Sequence, residues 1–258
     1  MDNLINTIES YWTKRAGGYS LVNQEELNGS QHASWSLFLD REIKNHHQDK
    51  ERKDIRVLDI GAGPGFISII LAEKGYTVTS ADYTEAMLEQ SKINAGSLSS
   101  SITYVKSDAQ NLDFADGSFD LVISRNLTWN LQEPDKAYSE WIRVLDRRGL
   151  MMVFDANWYL YLFDKDKKAE FEKDRRNVAF MNMEDYNIGD NFDVMEDIAR
   201  KMPLCSKIRP KWDIDFLSKM KNVSSVTVTE NIGDILYSTK EKVNYASTPL
   251  FYIKACKD

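Results

Sequence analysis

The segment VLDIGAGPGF, residues 57–66, constrains this chain more than any other: a run of β character enters glycines at 61, 63 and 65 and then an apolar helical stretch. Glycines suit that place because the backbone must turn sharply and can let a ligand come closer than a side chain would permit. The helix start beyond them offers unpaired N–H groups. A strand, a tight turn and a helix in this order open a right-handed βαβ unit, so the chain is headed for a parallel sheet. The spacing narrows the ligand. A dinucleotide fingerprint G-x-G-x-x-G counted from Gly61 would need glycine at 66, where this chain has Phe66; the pattern here is G-x-G-x-G, preceded by Asp59. That weighs against a pyrophosphate on the helix, and so against an NAD-dependent oxidoreductase.

The alternation continues to about residue 156. IRVLDI (55–60), TVTSAD (77–82), ITYVKSD (102–108), FDLVISR (119–125) and LMMVFDA (150–156) read as five strands, separated by helical runs. FISIILAEKG is apolar on nearly every side and ends in Gly75, as a buried helix with a glycine C-cap does. Thr84 is placed to N-cap a helix over 85–93. Pro134 suits the first turn of another, with Ala137, Tyr138, Trp141, Val144 and Leu145 on one face and Gly149 ending it. Four segments follow: helices over 1–52, an α/β core over 53–156, an aromatic and charged helical region over 157–222 broken by Pro203 and Pro210, and two further strands within 223–258. VSSVTVTENI and TPLFYIKAC would pair as an antiparallel hairpin at the sheet edge.

Composition excludes more than it selects. Acidic residues outnumber basic ones, 40 to 33, for a net charge of −7, which opposes a phosphate-neutralising face and hence a nucleic-acid substrate. The Lys165–Arg176 run reads as a solvated helix face, and NHHQDKERKD, with His46 and His47, as a solvated helix end and linker. Cys205 and Cys256 lack metal-ligand spacing, so neither a disulfide framework nor a metal site is expected. No stretch approaches the ~20 apolar residues of a membrane span, and the amino end lacks a signal-peptide pattern. The expectation is a cytoplasmic protein, without membrane or nucleic-acid partners, as a monomer or homodimer.

DIGAGPG resembles the first motif of class I S-adenosylmethionine-dependent methyltransferases, particularly the small-molecule branch (methyltransferase type 11) that includes the quinone-biosynthesis C-methyltransferases. The likeness covers about residues 55–156. It implies a doubly wound, Rossmann-like α/β fold: a mostly parallel seven-stranded sheet with an antiparallel last strand, plus a helical cap. It implies S-adenosyl-L-methionine as cofactor, S-adenosyl-L-homocysteine as product, and methyl transfer to a small-molecule acceptor by in-line displacement. The resemblance assigns Asp59, Gly61, Ala62, Gly63 and Gly65 to the glycine turn. Asp82, closing the second strand, takes the ribose hydroxyls; a carboxylate can accept from two adjacent hydroxyls. Tyr83 and Met87 pack on the adenine, Asp108 accepts from its amino group, and the Ala109 N–H meets the ring. The carbonyl region of Arg125 and Asn126 meets the cofactor's amino group. ESYWTKRAGGYS (9–20) resembles a segment that folds over the cofactor, with Arg15 able to pair with a carboxylate and Tyr11 or Tyr19 closing the site.

The fourth strand ends in RNLTWN without the N-P-P-aromatic motif of many nucleic-acid and protein-glutamine methylating enzymes. Trp129 and, in the aromatic run ANWYLYLF (156–163), Trp158, Tyr159 and Tyr161 lie where an acceptor could sit beyond strand ends; packing of the cap is the competing reading. Positioning alone can supply much of the rate, so no catalytic residue is assigned. Asp155, His32 and Tyr159 are the weak candidates for a base. The alternatives are the NAD-dependent oxidoreductase and a non-catalytic S-adenosylmethionine-binding protein.

Overall fold

The chain begins with two long helices, α1 (Asp2–Asn28) and α2 (Ser30–His46), and only then enters the sheet. The computed structural model describes residues 2–187 and 192–258, so Met1 of the first expected segment and residues 188–191 of the third lie outside it. Strand β1 (Arg56–Ile60) is buried from Val57 onward. Burial on both faces is what an unbroken apolar run in a central parallel strand dictates. It leads through the glycine turn into α3 (Phe66–Glu73). Gly75, at φ +84°, ends that helix in a Schellman arrangement: its N–H reaches Ala72 O at 2.9 Å and the Tyr76 N–H reaches Leu71 O at 3.1 Å.

The sheet continues with β2 (Thr77–Asp82), α4 (Glu85–Ala95), β3 (Ile102–Lys106), β4 (Phe119–Arg125), α5 (Pro134–Val144) and β5 (Leu145–Asp155). After β5 come α6 (Lys165–Phe180), α7 (Phe192–Ala199) and α8 (Lys211–Leu217), then β6 (Val223–Thr229), α9 (Gly233–Leu236), α10 (Thr239–Asn244) and β7 (Phe251–Lys257). The seven strands lie in the order β3-β2-β1-β4-β5-β7-β6. The first five are mutually parallel, and β7 runs antiparallel to both β5 and β6. This is the mostly parallel, doubly wound sheet that the alternation of elements demanded. The order reverses between β1 and β4, which opens a crevice at the carboxyl ends of the strands.

One apolar layer sets Trp35, Leu39 and Ile43 of α2, with α3, against one face of the sheet. Tyr138, Trp141 and Ile142 of α5 cover the other. A smaller cluster joins Trp129 to Met195, Ile198 and Met202, with Tyr11 and Trp12 of α1 packed on it. Among the described residues no helix is long and apolar enough to cross a membrane.

Four local expectations are corrected. Helix α5 stops at Val144 and Gly149 lies inside β5; the register jumps from Phe119↔Leu145 to Leu121↔Leu150, and Arg148, not the glycine, takes the left-handed conformation at φ +60°. A Cβ on Gly149 would lie 2.8 Å from the Asp146 carbonyl, so the residue is there for close approach. Thr84 occupies the N-cap of α4, yet its hydroxyl caps nothing: the Asp82 carboxylate accepts the Thr84 N–H instead, at 2.8 Å. The last two strands do pair antiparallel at the sheet edge, but not as a simple hairpin, since α9 and α10 intervene and β7 inserts between β5 and β6. His47 is buried, with Nε2 3.2 Å from the Asp120 carbonyl oxygen; nearby Lys50 and Arg56 both bind the Asp120 carboxylate. That segment is a packed ion-pair cluster at the amino edge of the sheet.

Candidate active site

At the carboxyl ends of β1, β2 and β4 the chain leaves a cleft, the place where open α/β sheets bind ligands. Gly61 and Gly63 form its floor, both with positive φ. A side chain at Gly61 would strike Leu127 at 2.6 Å, whereas one at Gly63 would point toward the Tyr19 ring at 3.5 Å, within the lined space. The Asp82 carboxylate stands beside the turn. One oxygen accepts the Gly63 N–H at 2.9 Å and the other the Thr84 N–H at 2.8 Å, and each keeps a further lone pair. Burial pushes this carboxyl up to about 6, with the backbone N–H groups of Thr84, Gly63 and Tyr83 pulling the other way.

Tyr83 and Met87 continue the wall, with the Lys106 ammonium 5.6 Å from the Tyr83 ring centre. Asp108 and Ala109 face the same space; Asp108 Oδ1 accepts from the Gln110 N–H at 2.9 Å and its side-chain amide at 3.2 Å. From β4 come Arg125 and Asn126. The Asn126 carbonyl already accepts the Trp129 indole at 3.0 Å, while the buried Oδ1 atoms of Asn126 and Asn130 accept nothing from the described residues. Helix α1 supplies the roof through Ile5, Ile8, Trp12 and Tyr19.

With this geometry in view, residues 58–153 match the family model described as a methyltransferase domain. That match takes in the α/β core from β1 to β5 and leaves out the helices on either side of it. Demethylmenaquinone methyltransferase of Clavibacter sepedonicus is 37% identical over 98 residues, 38% of this chain and 40% of that protein. The ubiquinone/menaquinone biosynthesis C-methyltransferase of Vibrio cholerae is 26% identical over 160 residues, 60% of this chain and 58% of that one. The chain thus spans well under two thirds of the length of these curated relatives. Among solved structures, Haemonchus contortus phosphoethanolamine N-methyltransferase 2, in complex with phosphomonomethylethanolamine and S-adenosylhomocysteine, superposes with a TM-score of 0.54 at 16% identity, over 83% of this chain and 51% of that one. That likeness is one of fold.

The fold brings ten of the sequence-chosen residues onto one cleft: Tyr19, Gly61, Gly63, Asp82, Tyr83, Met87, Asp108, Ala109, Arg125 and Asn126. Asp59, Ala62 and Gly65 do not line it. Asp59 is buried beneath the turn, where it accepts the Ser68 hydroxyl at 2.6 Å, and burial pushes it up to about 7 against that hydrogen bond, with Asp82 adding to the rise. A Cβ on Gly65 would lie 2.1 Å from Ser91 Oγ, so this glycine lets α3 and α4 meet. Tyr11 and Arg15 sit off the cleft, along a shallower groove with Lys14 and Val194. Trp129 and Tyr159 pack with tilted rings, centroids 4.7 Å apart, in the third apolar cluster, and Tyr161 stacks on Phe171 at 4.0 Å while donating to Glu196 at 2.8 Å. For these three the packing role is the observed one.

Two base candidates fall. His32 is half-buried on α2, 2.6 Å from Glu73 and away from the cleft. Asp155 is wholly buried and accepts from the Trp158 indole at 2.8 Å, from the Thr128 hydroxyl, from the Ala156 and Trp129 N–H groups and from Arg209 at 2.9 Å. Arg209 also grips Asp213 at 2.7 Å, and Tyr138 donates to Asp213 at 2.5 Å. An acid so committed is part of a buried ion-pair network and offers nothing to the cleft.

Sequence reasoning missed the roof residues Ile5, Ile8 and Trp12 and the far wall of Leu127, Leu131 and Gln132. The i, i+3, i+7 spacing of Ile5, Ile8 and Trp12 was the available signal for the roof. It also missed a second cleft that shares Tyr19, Arg125 and Asn126 with the first and is walled by Trp158, Tyr186, Tyr237, Glu241 and Tyr245. Arg125 stands between the two with both terminal nitrogens on Glu26 and its guanidinium over Phe66 at 4.5 Å.

Proposed function

We propose that the chain transfers a methyl group from S-adenosyl-L-methionine to a small-molecule acceptor, with the adenosyl moiety in the first cleft. The observation that carries this is Asp82: a carboxylate at a strand end, held by the N–H of Gly63 in the glycine turn and by that of Thr84, with lone pairs left for two neighbouring hydroxyls. The neighbouring residues suit the remainder of the ligand. Tyr83 and Met87 offer apolar faces to a purine; Asp108, whose two bonds to Gln110 both fall on Oδ1, keeps its other oxygen for an exocyclic amine. The unpaired Oδ1 atoms of Asn126 and Asn130 supply acceptor capacity for an ammonium. When bound, the cofactor supplies an electrophilic methyl on a sulfonium. The protein's part is to hold the acceptor in line with it, and α1, laid over the cleft, excludes water.

The NAD-dependent alternative is disfavoured by the family match and by Phe66, which is buried against Trp35 where the dinucleotide fingerprint wants glycine. Calorimetric titration decides between the readings. S-adenosylhomocysteine binds and NADH does not; saturation with NADH and indifference to S-adenosylhomocysteine overturn the proposal. Release of S-adenosylhomocysteine from S-adenosylmethionine in the presence of an acceptor separates an enzyme from a non-catalytic binder.

A further inference from the structure

The second cleft has its own chemistry. Tyr245 is its centre: Trp158 meets its ring edge-on at 5.1 Å, Tyr237 lies at 5.8 Å and Tyr186 at 6.2 Å. Beneath these rings sits Glu241, buried, at the start of α10. Its Oε2 accepts from the Ser238 N–H at 2.7 Å, the Ser238 hydroxyl at 2.8 Å and the Gln31 amide at 2.7 Å, so it is fixed in place by neutral donors. No Lys, Arg or His among the described residues forms an ion pair with it. Arg125, the cation that acts on it through space, is already committed to Glu26. Over the whole cleft, five carboxylates (Glu25, Glu26, Glu184, Asp185, Glu241) face three cations (Arg15, Arg125, Lys240). A buried carboxylate without a counter-ion is costly, and aromatic faces attract cations through their quadrupoles.

We propose that this second cleft binds a small organic ammonium, a compact amine and not a quinol or an anion, and that this amine is the methyl acceptor, with Glu241 supplying the counter-charge and Tyr245, Trp158, Tyr186 and Tyr237 the aromatic walls. This rests on the cofactor reading of the first cleft, which the second adjoins at the shared lining residues Tyr19, Arg125 and Asn126. The amine enters protonated, loses that proton to water at the open mouth, and donates the freed lone pair to the methyl carbon. The C–N bond forms as the C–S bond breaks, its electron pair staying on sulfur, and the methylated product leaves as an ammonium. Glu241 and the four rings are positioning groups in this account.

The probe is tetramethylammonium, which cannot be methylated, with tert-butanol as its neutral counterpart of similar shape, both titrated calorimetrically into the full chain in saturating S-adenosylhomocysteine. Tetramethylammonium binds at least tenfold more tightly than tert-butanol. Glu241→Gln, which keeps an acceptor for the Ser238 cap, loses that advantage while S-adenosylhomocysteine binding stays at the wild-type value. Tyr186→Leu, at a partly exposed position that the fold tolerates, weakens the cation several-fold. Equal binding of the two probes, or an unchanged cation affinity in Glu241→Gln, overturns the proposal. So does a turnover panel in which hydroquinones or thiols are methylated and primary to tertiary amines are not. Should tetramethylammonium bind in a Glu241-dependent way in buffer without cofactor while S-adenosylhomocysteine fails to bind the wild type, the cation site stands and the transferase reading of the first cleft falls.

Discussion

Strands β2 and β5 both end in aspartate at the same edge of the sheet, yet Asp82 and Asp155 have opposite fates. Asp82 is met only by backbone N–H groups, which take one lone pair from each oxygen and leave the carboxylate facing a cleft. Asp155 is met by Arg209, Thr128 and Trp158, two of them from beyond its own loop, and is sealed at zero exposure. A strand-end acid is therefore a site only where no other segment delivers a cation to it. The sheet provides the position; the cap decides whether it stays available.

The comparison breaks most visibly if Asp155 is stripped of its partner. Arg209→Met leaves Asp155 and Asp213 buried and uncompensated, at an expected cost of about 3–5 kcal/mol in urea unfolding. Adding Asp155→Asn and Asp213→Asn to that variant restores most of the loss; a single variant as stable as wild type contradicts the account. Next in size is the acid pair under the glycine turn. Asp59, pushed up to about 7, and Asp82, up to about 6, are both raised, so their stabilising effect is full below the unfolded value near 4 and is lost as pH rises through 6 and 7. For Asp59 the three-unit rise corresponds to about 4 kcal/mol. The urea midpoint of the unliganded protein accordingly falls from pH 5 to pH 8, and Asp59→Asn flattens that slope.

Asp82→Ala tests the open acid itself. It weakens S-adenosylhomocysteine binding by about 1.5–3 kcal/mol, the value of a hydrogen bond to a charged group, and wild-type affinity in that variant removes Asp82 from the site. The smallest effect runs opposite to the stability trend. Because only the ionised Asp82 accepts two hydroxyls, S-adenosylhomocysteine affinity rises about tenfold from pH 5 to pH 7 as the carboxyl at about 6 ionises; Asp82→Asn shows no such rise.

How far the sequence could be read follows the same division. The strands, the G-x-G-x-G turn and the residues at 82, 83, 87, 108 and 109 are contiguous signals: period, turn chemistry and strand ends are set by neighbours, and parallel strands bring those ends together. Nothing local marks Asp155 as sequestered, because its partner Arg209 lies 54 residues onward. His47 read as solvated for the same reason: its partner, the Asp120 carbonyl, is 73 residues away. The second cleft draws on α1, β4, the loops near 158 and 185, and α10, so no motif could carry it. Gly149 misled because a glycine after a helical run usually ends it, whereas here it serves a crowded contact inside a strand.

The placing of β7 between β5 and β6 bears on how the chain matures. As the polypeptide emerges, β6 is complete more than twenty residues before the strand that must flank it on the inside, and until Phe251–Lys257 arrives it has no ladder to join. Such non-local pairing is slow, and a lone β ribbon rich in Val and Thr can pair with the wrong chain in the interval. Its exposed Ser224, Ser225, Thr227 and Thr229, alternating with half-buried valines, keep one side of that waiting ribbon wet.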